Sequence, residues 1–171
     1  MVTAAGLTTA RAIAAAVPDP ELPMVTVADL GILRDVAAEG DRLVVTITPT
    51  YSGCPALREI AHDLRHRLAA SGYAEVTVRT ALAPAWSSDW ITAEGRQKLR
   101  AAGIAPPHAA DRRRASGPVP LTLTGTRREP VACPRCGSAI TTQTAAFGAT
   151  ACKALFRCES CREPFEYVKD I

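Results

Sequence analysis

The chain has 171 residues, 47% hydrophobic and 22% charged, a globular composition with room for one medium domain and a small one. Its net charge is only +3, too weak to imply a strong nucleic-acid field or an acidic partner. No run approaches the roughly 18–20 apolar residues that span a membrane. The start "MVTAAGLTTARAIAAAV" lacks a basic leader and is interrupted by Arg11, so no secretory signal is expected. A cytoplasmic setting is expected, in which the 6 cysteines act as ligands or reactive groups rather than as disulfides.

Residues 3–17 predict an amphipathic helix, with Leu7, Ala10, Ile13, Ala14 and Val17 along one side and Pro18 and Pro20 as its stop. "DPELPMVTVADLG" then reads as irregular. Residues 32–37 and 42–48 predict two strands in an antiparallel hairpin, joined by the turn "AEGD". Residues 55–70 carry the clearest helix. Leu57, Ile60, Ala61, Leu64 and Leu68 form its apolar stripe, Pro55 suits its first position and Gly72 its exit. Residues 74–79 alternate as a third strand, reached by a right-handed crossover and therefore parallel to the second. A further helix is expected within 87–103, opened by Ser87, Ser88 or Asp89 and closed by Gly103.

These elements predict an α+β domain over residues 1–103, a small mixed sheet with packed helices. Residues 104–119 ("IAPPHAADRRRASGPV") break all periodicity and read as a linker. Residues 120–171 form a second unit, too short to build a large core unaided.

That second unit holds the strongest chemical signal. "CPRC" supplies Cys133 and Cys136, and "CESC" supplies Cys158 and Cys161. Each C-x2-C pair can form a knuckle whose two sulfurs face one ion, and four thiolates make a closed tetrahedral site for zinc. Short strands are expected from "ITTQT", "KALF" and "FEYVK", giving a small zinc-ribbon β domain stapled by its metal. Iron would use the same four ligands. A full sulfur shell leaves no open position, so the site reads as structural. Cys152, in "FGATACKALF", reads as a small buried apolar residue, or else as a reactive thiol beside the ribbon.

Cys54 in "TPTYSGCP" stands apart from the other five. Pro55 starts the long helix, so the helix dipole and free N–H groups should favour the Cys54 thiolate and lower its pKa. Gly53 allows close approach, and Thr48, Thr50, Tyr51 and Ser52 add hydroxyls. Cys54 is thus a candidate thiol for iron, an iron–sulfur cluster or a partner; the bland alternative is a packed, helix-capping cysteine. Asp19, Glu21 and Asp29 sit in loops where carboxylates can converge on a site or simply cap turns. His62 and His66 have metal-compatible spacing, but they lie among charged residues on a solvated face. The arginines at 111–114 and 126–129 read as solvated charge rather than a nucleic-acid footprint. No acid–base dyad, P-loop or G-x-G-x-x-G is present.

"DPELPMVTVADLGIL" with "TPTYSGCP" resembles the small domain of iron–sulfur cluster assembly factors. "PAWSSDWITAEGRQKLRAAGIAPP", "CPRCGS" and "FGATACKALFRCESCREPFEYVK" are similar to the PaaD (or PaaJ) family of the bacterial phenylacetyl-CoA epoxidase system. The likeness spans roughly residues 10–169. One departure is Ala149, where the family is expected to carry serine; it touches no ligand.

This resemblance implies a non-enzymatic accessory in aerobic phenylacetate catabolism. Its partners would be the di-iron oxygenase that epoxidises the ring of phenylacetyl-CoA and the iron–sulfur flavoprotein reductase. It implies help in loading their iron or iron–sulfur centres, with Cys54 touching the cargo, Asp19, Glu21 or Thr50 assisting, and the zinc ribbon docking. The alternative is a structural or regulatory component of the oxygenase; a nucleic-acid-binding ribbon is the third reading. One cysteine cannot complete a cluster, so a partner or a homodimer would supply further ligands.

Overall fold

A computed structural model of the chain describes residues 3–108 and 130–170. The element order is α1 (Ala4–Ala15), β1 (Leu33–Glu39), β2 (Arg42–Ile47), α2 (Leu57–Ala70), β3 (Val76–Thr80), a 3-10 turn (Ser88–Trp90), α3 (Ala93–Ala101), β4 (Ile104–Ala105), β5 (Thr141–Ala145), β6 (Lys153–Cys158) and β7 (Pro164–Val168). The expected α+β class and the ribbon sheet are both present.

The first sheet runs β1-β2-β3, with β1 antiparallel and β3 parallel to β2. α1 and α2 pack on it and on each other. Thr3 caps α1 by accepting the Gly6 N–H at 3.1 Å. Ile60, Leu64 and Leu68 of the α2 stripe are buried, with Leu57 packed at the edge of the same core.

Two helix starts differ from expectation. α2 opens at Leu57, not Pro55, and Ala56 caps it without a side-chain bond. A turn comes first, in which the Cys54 N–H reaches the Tyr51 carbonyl at 3.2 Å. α3 opens at Ala93. Thr92, not a residue of the Ser87–Asp89 run, caps it by accepting the Gly95 N–H at 2.9 Å. Ser87 instead caps the separate 3-10 turn.

The "DLG" segment is the hub of the first domain. Asp29 Oδ2 accepts the Thr26 N–H and the Lys98 ammonium, each at 2.9 Å, and the Asp29 carbonyl accepts the Thr92 N–H at 2.9 Å. Burial opposes ionisation of Asp29, but Lys98 and the Thr26 N–H and hydroxyl outweigh it and hold the carboxyl below its usual range. Asp29 is therefore a staple between this loop and α3. The Leu30 carbonyl accepts the buried Trp86 indole N–H at 2.9 Å. Gly31 takes a left-handed φ of 67° beneath Trp90.

The second sheet has the order β4-β7-β6-β5. Ile104 and Ala105, expected to begin the linker, pair in parallel with Glu166 and Tyr167 instead. Successive strand residues point opposite ways. Ile104 accordingly joins the core of the first domain, and Ala105 joins the ribbon core of Val131, Cys133, Cys158, Phe165 and Tyr167. β7 alternates likewise, with Val168 in the first core and Tyr167 in the second. The two cores thus meet across β4 and β7. Of the remaining expected linker, residues 109–119 lie outside the described residues, as do the arginines at 111–114 and 126–129.

Candidate functional site

The ribbon cysteines come from two knuckles, one before β5 and one that begins at the last residue of β6. Their four ligand atoms all lie within 4.8 Å of one another. Tetrahedral sulfurs 2.3 Å from an ion stand about 3.8 Å apart. Cys133 and Cys161 are 3.7 Å apart and Cys136 and Cys158 are 3.6 Å apart, so the sulfur spacing fits one such ion. Cys133 and Cys158 are buried, while Cys136 and Cys161 are exposed. The Cys161 N–H helps bring the Cys158 thiol down to about 6 against burial, aided by the Ser160 N–H and neighbouring thiols. The Cys161 thiol goes the other way. The Glu163 N–H favours its thiolate, but desolvation and the Cys158, Cys136 and Cys133 sulfurs push it up to about 12. Four thiolates cannot share this space without a cation, and a divalent ion removes the conflict.

The second site is a cavity of ≈30 Å³ where the first domain meets the ribbon. Asp19, Glu21, Thr50, Tyr51, Cys54 and Trp86 line it from the first domain. Thr150, Cys152, Val168 and Lys169 close it from the ribbon. Asp19 is buried, and its Oδ1 accepts the N–H groups of Glu21 and Leu22, each at 2.9 Å. Burial raises its pKa, the two N–H groups oppose this, and Glu21 adds to the rise. The structure thus gathers Cys54, Asp19, Glu21 and Thr50 around one space.

Cys54 corrects one expectation. Its thiol pKa is raised, not lowered. Desolvation is the largest cause, and Cys152 and Asp19 push the same way; the Ala56 and Leu57 N–H groups act in the expected direction but are outweighed. Alkylation of Cys54 in metal-loaded protein, followed by peptide mass spectrometry, should therefore be slower at neutral pH than for a free cysteine. Its rate should still climb above pH ~8.5, where a free thiol levels off. A rate that saturates below that pH would show that the helix terminus governs the thiol after all.

Cys152 is the residue that sequence reading undervalued. It is half-buried, with the Thr150 hydroxyl 3.1 Å from its sulfur, and it shares the Cys54 cavity. The conspicuous signal was the string "FGATACK" itself. His62 and His66 stack with ring centroids 6.3 Å apart; among the described residues, only the ribbon cysteines form a metal-competent group of three or more. No helix among the described residues is long and apolar enough to cross a membrane.

An assembly-type α+β domain joined to a four-cysteine ribbon defines the class. Residues 10–80 match the iron-sulfur cluster assembly protein family, and residues 117–169 match the PaaD zinc beta ribbon domain. The chain is 44% identical over 155 residues to an Escherichia coli (strain K12) protein named as the D component of 1,2-phenylacetyl-CoA epoxidase, covering 91% of this chain and 87% of that protein. The chain therefore belongs to the PaaD family of phenylacetyl-CoA epoxidase components. A crystal structure of a domain of unknown function (DUF59) from Bacillus anthracis matches with a TM-score of 0.50 at 31% identity, covering 54% of this chain and 90% of that one. A Mycobacterium tuberculosis protein described as associated with Fe–S complex assembly and repair aligns at 34% identity with a TM-score of 0.32, covering 58% of this chain and 84% of that one.

Proposed function

We propose that this chain is a maturation accessory of the phenylacetyl-CoA epoxidase system. It would load iron or an iron–sulfur centre into the oxygenase or its reductase rather than catalyse turnover. The observation that carries this reading is the cavity that the Cys54 thiol and the buried Asp19 carboxylate both line. A thiol and a carboxylate are donors for iron. Glu21 and Thr50 stand beside them as supporting groups. Cys133, Cys136, Cys158 and Cys161 hold a structural zinc, whose closed shell leaves no catalytic position. The first domain carries the cargo and the ribbon docks on the recipient in a reducing cytoplasm.

Reconstitution tests this. The oxygenase and reductase polypeptides are produced with and without the protein, and their iron, sulfide and activity are measured. Loading should fall without it and should stay low when Cys54→Ala replaces the wild type. Normal filling of both centres in its absence would sink the proposal. A finished oxygenase that retains the chain stoichiometrically through size exclusion would favour a structural component instead.

A further inference from the structure

We propose that β3 of the first sheet pairs antiparallel with the β3 of a second copy of this chain, on a two-fold axis through Thr77. The sheet order β1-β2-β3 then continues as the partner's β3-β2-β1. No residue of β3 lines the Cys54 cavity, so the pairing stands independently of the cargo reading.

A sheet edge presents unpaired N–H and C=O groups, and native folds blunt it with bulges, prolines, short strands or cover. Among the described residues, three of the four edges of the two sheets are blunted in this way. β1 breaks register between Leu33 and Asp35, and Arg11 of α1 donates to its Val36 carbonyl at 3.0 Å. β5 breaks register between Gln143 and Ala145, and β4 is only 2 residues long and runs into Pro106 and Pro107. β3 alone keeps unbroken register, from Val76 to Thr80. The Glu75 carbonyl accepts the Leu43 N–H at 2.8 Å, and the Ala81 N–H donates to the Ile47 carbonyl at 2.9 Å. By alternation, Thr77 and Arg79 also turn their backbone to β2. Val76, Val78 and Thr80 turn theirs outward, and these N–H and C=O groups make no hydrogen bond among the described residues.

The side chains of that edge complement themselves. Val76 and Val78 are half-buried against the first core, so Glu75, Thr77 and Arg79 share the opposite face. With the axis at Thr77, Val76 faces the partner's Val78, and the two exchange both N–H···O bonds; the same pair recurs across the axis. On the other face Glu75 stands opposite the partner's Arg79 in a non-hydrogen-bonded pair, where side chains approach most closely. Both ions have bonding capacity left among the described residues. Glu75 uses only Oε2, 3.4 Å from the Arg42 Nε. Arg79 gives Nη1 and Nη2 to Glu39 at 2.7 and 2.8 Å and keeps its Nε–H. The other symmetric register, with its axis at Val78, would set Arg79 against the partner's Thr77 and Glu75 against the partner's Ala81, matching neither charge. Charge therefore selects the Thr77 axis.

Sedimentation of the full-length, zinc-loaded protein over roughly 1–300 µM tests this. A short strand pair buries less than the roughly 1,200 Å² of a standard interface, so association is expected in the micromolar range. Wild type should pass from monomer to dimer, and added salt should weaken the dimer. Arg79→Glu sets acid against acid in both cross-strand pairs, and Glu75→Arg sets base against base; each should weaken dimerisation about tenfold or more. Mixed in equal amounts, the two variants restore both opposite-charge pairs and should associate as wild type does. A Thr77→Cys variant keeps every charge in place. It should form a disulfide with its own copy in oxidised glutathione, since a non-hydrogen-bonded pair holds its Cα atoms about 4.5 Å apart. Peptide mass spectrometry locates that bond, and circular dichroism checks the fold of each variant. Wild type that stays monomeric throughout would overturn the pairing and leave the edge to a strand of another protein. A dimer that both charge variants leave intact, or folded Thr77→Cys protein without the link at position 77, would overturn the Thr77 axis.

Discussion

A Cys158→Ser variant is expected to lose its ribbon metal and, with it, the folded ribbon over residues 130–170. Cys158 is 0% exposed and sits at the centre of the small second core, so the serine both removes a ligand and places an unpaired hydroxyl there. The remaining apolar contacts are few, chiefly Phe156, Phe165 and Tyr167 with ring centroids 5.8 and 5.5 Å apart. Metal binding in comparable small sites contributes about 10–16 kcal/mol at neutral pH. A core of this size cannot replace that. Elemental analysis should drop from one tightly held ion per chain to a small fraction. Limited proteolysis should cut the ribbon while sparing α1 to β3. Persistence of native protease resistance without bound metal would show that the aromatic cluster suffices alone.

A Gly31→Ala variant should lose about 2–5 kcal/mol of stability in the first domain. Its φ of 67° costs an L-residue about 1–2 kcal/mol. An added Cβ would also lie 2.5 Å from the Trp90 Cβ and 2.7 Å from the Trp90 carbonyl oxygen, neither of which can swing away cheaply. Relieving that overlap adds about 1–3 kcal/mol. Gly40→Ala is the control, because Gly40 has a φ of 66° but nothing within 4 Å of its added Cβ. Thermal unfolding should fall by roughly 5–15 °C for Gly31→Ala and by much less for Gly40→Ala. Equal losses would mean that the backbone angle alone matters and that the packing of Trp90 on the "DLG" loop does not.

Local pattern carried most of the first domain. The α2 stripe, the hairpin and the parallel crossover were legible because each follows from a period and a connection length. The boundaries that moved did so for chemical reasons invisible to periodicity. Pro55 was displaced by a turn through Cys54. Ser87 had its own 3-10 turn to cap, leaving Thr92 to start α3. β4 could not be read at all, because two residues before a pair of prolines show no period. Its partner, β7, lies some sixty residues further along the chain. The ribbon ligands were plain from spacing. The character of Cys54 was not, since its desolvation comes with packing against the first core, and the cavity it shares with Cys152 and Val168 exists only in the folded chain. Cys152 was hard to value for the same reason. Beside Ala151 it looks like one more small apolar residue.

The pairing of β4 with β7 has a consequence for anyone dissecting this molecule. A fragment cut at residue 120 would leave Tyr167 without its backbone neighbour and Val168 without its apolar socket. A fragment ending at residue 103 would lose Ile104 from its own interior. The halves are stitched rather than strung, so neither cut leaves both interiors whole.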